Sequence, residues 1–122
     1  MINKAIILAG GTGKRMNSNV PKQYMELHGK PILYYTIKAF QESFFDEIVL
    51  VCLENDIDYC RENIVNKYNF TKVSHIVAGG KERYHSVING IKAVGESDYI
   101  YIHDGARPFA TNEIFQNIKN TL

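Results

Sequence analysis

An α/β domain with a mostly parallel sheet flanked by helices is what this sequence predicts, and two observations carry that reading. Four short runs rich in β-branched or aromatic residues, at positions 5–8, 47–52, 73–77 and 99–102, alternate with stretches whose apolar residues recur every three or four positions. The runs are close to continuously apolar rather than alternating, which is the pattern of strands covered on both faces and joined by right-handed crossovers. In such sheets ligands bind beyond the strand C-termini, at a switch in strand order.

The elements follow in order. Ala5, Ile6, Ile7 and Leu8 make the first strand. Ile32, Leu33, Ile37 and Phe40 form an apolar helical face behind Pro31, a residue suited to a first helical turn. After the strand Glu47 to Cys52, the spacing of Ile57, Cys60, Ile64 and Tyr68 predicts a second helix, and Val87, Ile88 and Ile91 predict the apolar face of a third. Ile114, Phe115, Ile118 and Leu122 keep helical spacing to the end of the chain, where neither a glycine cap nor a trailing proline closes the pattern. The expectation is a fold that stops inside its architecture, truncated and without a linker or repeat.

At 122 residues the default is one domain, spanning 1–122. A formal net charge of +1 argues against a dedicated nucleic-acid or membrane surface, because such surfaces need many clustered cations. A small anion is the expected partner. Cys52 sits in a strand-like run and Cys60 in a helix-like one, without zinc-ligand spacing, so buried reduced thiols are expected. Nothing in the sequence is apolar over a bilayer span, and Met1-Ile2-Asn3-Lys4 leads into the first strand without a signal-peptide core, which points to the cytoplasm.

The chemistry concentrates in Leu8-Ala9-Gly10-Gly11-Thr12-Gly13-Lys14-Arg15-Met16 and the Pro21-Lys22-Gln23 that follows. Glycines allow close backbone approach, and successive N–H groups in such a loop form an anion-binding concavity. Arg15 and Lys22 add full charges. The loop is not a Walker A motif: Leu8 holds the place of the early glycine, and Arg15 replaces the hydroxyl residue that would hold magnesium. Met16 stands where a dinucleotide fingerprint needs its third glycine, which disfavours an NAD-dependent oxidoreductase. Cations around a polyphosphate are what remain, the look of a nucleotidyltransferase; taken alone, the loop also suits a plain connecting turn with surface Lys and Arg.

Two further strand ends carry unusual residues. Ala78-Gly79-Gly80-Lys81-Glu82-Arg83 leads into a helix bearing Ser86, and such a loop can read a base edge or simply turn the chain. His103-Asp104-Gly105-Ala106-Arg107-Pro108 ends the fourth strand, and a strand-terminal carboxylate such as Asp104 suits Mg²⁺, or else serves as a loop-stabilising acceptor. His28, His75 and His85 lack ligand spacing, and His103 reads as orienting the strand end.

Taken together and in this order, these four blocks resemble the 2-C-methyl-D-erythritol 4-phosphate cytidylyltransferases of the non-mevalonate isoprenoid pathway, with the related ribitol-5-phosphate enzymes as the alternative. The likeness runs through the whole chain. It implies a Rossmann-like nucleotidyltransferase fold and transfer of CMP from CTP to a sugar-alcohol phosphate with Mg²⁺ assistance, releasing pyrophosphate. By that resemblance Arg15 and Lys22 stabilise charge on the α-phosphate, and Gly11, Gly13 and Lys22 lie near the triphosphate. Ala9, Gly10, Gly80 and Ser86 surround the cytosine, while Asp104, Gly105, Ala106 and Arg107 serve ribose, metal and base-side contacts. Lys81 departs from the family, which often has an acidic residue there. Family members also continue well past the point matching Leu122, through a dimerisation arm and further metal and sugar-phosphate contacts. The resemblance therefore implies a homodimer for a full-length member, and for this chain either the CTP-binding part of the enzyme or a non-catalytic nucleotide-binding fragment.

Overall fold

In the computed structural model, which describes residues 1–10 and 20–106, the chain builds a four-stranded parallel sheet around its first strand. β1 (Asn3–Ala9) is buried along nearly its whole length, as a strand of Ala, Ile and Leu between two layers must be. A single 3-10 turn at Lys22–Tyr24 leads to a small antiparallel ribbon of β2 (Glu26–Leu27) and β3 (Lys30–Pro31). The ribbon turns on His28 and Gly29, both with positive φ of 54° and 81°. Glycine adopts that conformation at no steric cost, and this hairpin was not predicted from the sequence.

α1 (Ile32–Gln41) starts directly after Pro31, which occupies the N-cap position with extended backbone. β4 (Glu47–Cys52) follows, then α2 (Ile57–Cys60), which widens into π turns over Arg61–Asn66. β5 (Val73–Ala78), α3 (Arg83–Val94) and β6 (Tyr99–Asp104) complete the described residues. The sheet order is β5-β4-β1-β6, every pair parallel. Successive crossovers through α1 and α2 step in one direction, and α3 carries the chain back to the other side of β1. With right-handed crossovers that reversal places α3 on the opposite face, and the packing agrees. Leu33, Ile37 and Phe40 of α1 and Cys60 and Ile64 of α2 share one core with Ile7, Leu50 and Cys52. Val94 of α3 packs with Ile6, Leu8, Val49 and Val51 on the other.

The strands stand where the sequence placed them, each of three extended by one to three residues at its ends. The inward face of α3 does so only in part: Val87 packs against the cluster of Ile6, Leu8, Val49, Val51 and Val94 as expected. Ile88 and Ile91 are 45% and 44% exposed, whereas Ser86, Gly90 and Val94 are buried. The helix lies so close to the sheet that a Cβ at Gly90 would stand 2.8 Å from Ile6 Cγ2 and 3.2 Å from Val51 Cγ2. At this closest approach only a residue without a side chain fits, while Val87 and Val94 pack against the sheet to either side. Among the described residues no helix is long and apolar enough to cross a membrane.

Candidate functional site

The C-terminal edge of the sheet gathers most of the described candidate residues around the tip of β1. Gly10 leaves the strand beside the end of β4, where a Cβ would lie 3.5 Å from the Cys52 carbonyl carbon and 3.7 Å from Ser86 Oγ. From the far side of β4, the Gly79 N–H donates to the Cys52 carbonyl at 2.7 Å, folding the loop after β5 over that strand end. The Gly80 N–H donates to Ser86 Oγ at 3.2 Å, and the Asn89 side-chain amide donates to the Ala78 carbonyl at 3.1 Å one turn further along α3. Ala9, Gly10, Gly80 and Ser86 are thus brought together across the width of one strand.

Steric need explains both glycines of this loop. A Cβ on Gly79 would stand 2.5 Å from Ser86 Oγ, and one on Gly80 would overlap His85 Cβ. The first turn of α3 is held by a reciprocal cap: the Glu82 side chain accepts from the His85 backbone N–H, and His85 Nδ1 accepts from the Glu82 N–H at 3.2 Å. His85 is therefore a capping residue. His103 lies with its ring 5.2 Å from that of Phe40, a packing position on the α1 face. Lys81 is exposed on the loop.

Across β1 the end of β6 is equally tied down. The Gly105 N–H donates to the Leu8 carbonyl at 2.8 Å, and Thr36 Oγ1 of α1 donates to the Gly105 carbonyl at 2.9 Å. A Cβ at Gly105 would meet Leu33 Cδ1 at 2.9 Å, so this position too is one of close approach. Asp104 is exposed and pairs in register with Leu8; its Oδ1 accepts from the Ala106 N–H at 2.9 Å. That is the loop-stabilising arrangement weighed from the sequence, and it orients the carboxylate at the strand tip.

Lys22 is exposed on its 3-10 turn. Its neighbour Gln23 is 5% exposed and donates from Nε2 to the Ala9 carbonyl at 2.8 Å, which ties the turn to the end of β1. In the sequence Gln23 has as its signal only its place beside a candidate cation, in Pro21-Lys22-Gln23. Thr36 and Asn89 carried no such signal. Gly11, Gly13, Arg15 and Arg107 lie outside the described residues. Among the described residues no three His, Cys, Asp or Glu side chains cluster in a way that holds a metal, so Asp104 is a single candidate carboxylate.

Against known proteins, the sequence profile of the IspD family, 2-C-methyl-D-erythritol 4-phosphate cytidylyltransferase, matches residues 3–121. The chain belongs to this cytidylyltransferase family. It is 52% identical over 116 residues to the cytidylyltransferase of Clostridium kluyveri, covering 94% of this chain and 50% of that one. With a Clostridium botulinum relative it shares 53% identity over 117 residues, 94% and 51% of the two chains. The crystal structure of 4-diphosphocytidyl-2C-methyl-D-erythritol synthase from Anaerococcus prevotii superposes with a TM-score of 0.80 at 32% identity, over 98% of this chain and 50% of that one. The bifunctional IspDF of Campylobacter jejuni gives a TM-score of 0.77 at 26% identity, over 99% and 31%. The chain therefore spans about half the length of the curated relatives it matches, and its fold, a mostly parallel sheet with helices on both faces, is truncated relative to that of the family.

Proposed function

We propose that this chain binds CTP at the strand tips and is the nucleotide-binding part of an enzyme that transfers CMP to 2-C-methyl-D-erythritol 4-phosphate, giving 4-diphosphocytidyl-2-C-methyl-D-erythritol and pyrophosphate. The observation that carries the reading is the interlock of Gly10, Gly79, Gly80 and Ser86 on one side of β1, with the Lys22 turn tied to Ala9 by Gln23. Within a cytidylyltransferase family, a backbone ledge next to a hydroxyl suits the edge of a cytosine, and a cation beside a glycine loop suits a triphosphate. In the reaction, an oxygen of the acceptor phosphate attacks the α-phosphorus in line and pyrophosphate leaves. Arg15 and Lys22 stabilise the charge that accumulates there; little covalent work is asked of the protein, and preorganised cations carry the barrier reduction.

Asp104 fits a magnesium ion by the chemistry of its donor. One oxygen is occupied by the Ala106 N–H, and magnesium ordinarily takes only one or two protein carboxylates beside phosphate oxygens and water. Bound there, the ion would offset triphosphate charge, while Gly105 and Ala106 line the ribose side and Arg107 adds a cation. A cytoplasmic location goes with this reading.

The test is pyrophosphate release from CTP, Mg²⁺ and methylerythritol phosphate, with ribitol 5-phosphate as the competing acceptor. In a chimaera joining this chain to the C-terminal half of the Clostridium kluyveri relative, Lys22→Ala is expected to lower kcat by about 10²-fold or more while CTP affinity changes much less. An unchanged kcat removes Lys22 from the mechanism. The chain spans about half the length of its curated relatives, and the competing reading is nucleotide binding without turnover. CTP binding by the isolated chain without pyrophosphate release supports that reading, and sustained turnover ends it.

A further inference from the structure

Among the large apolar side chains that α1 turns inward stands a threonine. Thr36, between Leu33, Ile37 and Phe40, is fully buried, and a hydroxyl in such a layer costs free energy unless it is hydrogen-bonded. Its Oγ1 donates at 2.9 Å to the carbonyl of Gly105, 69 residues further along the chain. That carbonyl belongs to the peptide joining Gly105 to Ala106, and a planar trans peptide points its N–H away from its C=O. The N–H of this peptide is the one that donates to Asp104 Oδ1 at 2.9 Å. Thr36, one rigid amide and the Asp104 carboxylate therefore form a hydrogen-bonded line from the core to the strand tip. Linked hydrogen bonds polarise one another, so donation to the carbonyl strengthens the bond made by the N–H. The preceding amide is held as well: the Gly105 N–H donates to the Leu8 carbonyl at 2.8 Å, and Leu33 Cδ1 stands 2.9 Å from the place a Gly105 Cβ would take.

We propose that Thr36 is a positioning residue that aims the Asp104 carboxylate at a divalent cation. Asp104 is exposed, and an exposed aspartate moves among staggered side-chain torsions unless something selects one. The bond from Ala106 makes that selection, an aspartate accepting from the N–H two residues on, and it holds only while the Gly105-Ala106 amide faces the carboxylate. Thr36 fixes that facing from the core. With Oδ1 committed, the position of Oδ2 is set as well. Magnesium gains from this arrangement because it demands near-ideal octahedral geometry and takes few protein oxygens, and a ligand already in place loses less freedom on binding. Thr36 itself acts only through Asp104. The cation rests on the reading of Asp104 given above; the alignment of the carboxylate does not.

The test begins with the isolated chain, without metal or nucleotide. NMR couplings between the α proton and the two β protons of Asp104 are expected to fit a single staggered torsion. Thr36→Val, which keeps the shape and loses the hydroxyl, is expected to bring the couplings to averaged values and to speed exchange of the Ala106 amide by about fivefold, the scale of one hydrogen bond. Thr36→Ser restores both. Averaged couplings in the unaltered chain overturn the proposal without any variant, and so do single-torsion couplings that survive Thr36→Val, or a Thr36→Ser that behaves like Thr36→Val. The second arm is the Mg²⁺ dependence of pyrophosphate release in the chimaera with the C-terminal half of the Clostridium kluyveri relative. Thr36→Val is expected to raise the half-saturating Mg²⁺ concentration by about fivefold while kcat at saturating Mg²⁺ stays within about twofold, a split that general damage to the fold does not give. An unchanged Mg²⁺ requirement overturns the link to the cation. Asp104→Ala with an unchanged requirement counts against the metal reading alone, because the couplings still decide whether Thr36 aims the carboxylate.

Discussion

The two faces of the sheet are built to different thicknesses. Under α1 and α2 the core is deep and aromatic: the Phe40 and Phe45 rings lie tilted 4.9 Å apart, Phe44 stacks on Phe45 at 4.5 Å, and Tyr34 sits 4.4 Å from Tyr68. Under α3 it is thin, a row of Ile6, Leu8, Val49 and Val51 on which the helix rests through Ser86, Gly90 and Val94. A thick layer buries more apolar surface and so contributes more stability. A thin layer sacrifices that gain to fix a distance. Here the distance is the one that lets Ser86 Oγ accept from the Gly80 N–H and stand beside Gly10. The α1 and α2 face holds the fold; the α3 face sets the geometry of the strand tips.

The largest expected effect tests the first half of that division. Phe40 is 1% exposed in the aromatic layer, and Phe40→Ala should cost about 3–5 kcal/mol in urea unfolding, by lost burial and the cavity left behind. Set against the roughly 5–15 kcal/mol that holds a typical domain folded, that loss is large, yet the Gly80 amide should keep its native hydrogen-exchange protection relative to its neighbours. Gly90→Val reverses the pattern. Its new side chain collides with Ile6 and Val51, so a smaller loss of about 1–3 kcal/mol from overpacking should come with selective loss of protection at Gly80. If Phe40→Ala loosened Gly80 more than Gly90→Val did, the two faces would not have separate jobs.

The same contrast explains what could be read in the sequence. β1 and β4 were legible because they run through the middle of the sheet and are apolar along their length, and α1 because Leu33, Ile37 and Phe40 mark its inward stripe. The inward face of α3 was legible only at Val87, which packs against the sheet. Hydrophobic periodicity finds large apolar residues, and on this helix Ile88 and Ile91 are exposed while Ser86 and Gly90 share the buried positions with Val94. The His28-Gly29 hairpin carries little of the usual turn chemistry, and the π turns after Cys60 preserve a spacing that reads as ordinary helix. At the site, glycine loops announced close approach after three strands, and the family resemblance grouped Gly10, Gly80 and Ser86. The tethers were hidden: Gln23, Thr36 and Asn89 act through single hydrogen bonds to carbonyls distant in sequence, which no local pattern encodes.

The smallest expected effect is the sharpest test of the thin face, because it asks whether two residues act as one device. Ser86→Ala removes the acceptor of the Gly80 N–H, and a single hydrogen bond of this kind contributes about 0.5–1.5 kcal/mol. Gly79→Ala reaches the same bond from the other side. Its Cβ would stand 2.5 Å from Ser86 Oγ and 3.3 Å from Val51 Cγ1, so the hydroxyl must rotate away and release Gly80, or the loop must move. Both substitutions therefore spend the same interaction, and the double variant should be less destabilised than the sum of the singles by about 0.5 kcal/mol or more, as contacting residues are. Gly10→Ala is the control. Its Cβ meets the Cys52 backbone and Ser86 Oγ at ordinary contact distances of 3.5–3.7 Å, and its cost should add to that of Ser86→Ala. Additive losses for Gly79 and Ser86 in urea titrations would mean that the hydroxyl is not held by the loop, and that α3 approaches the sheet for packing alone.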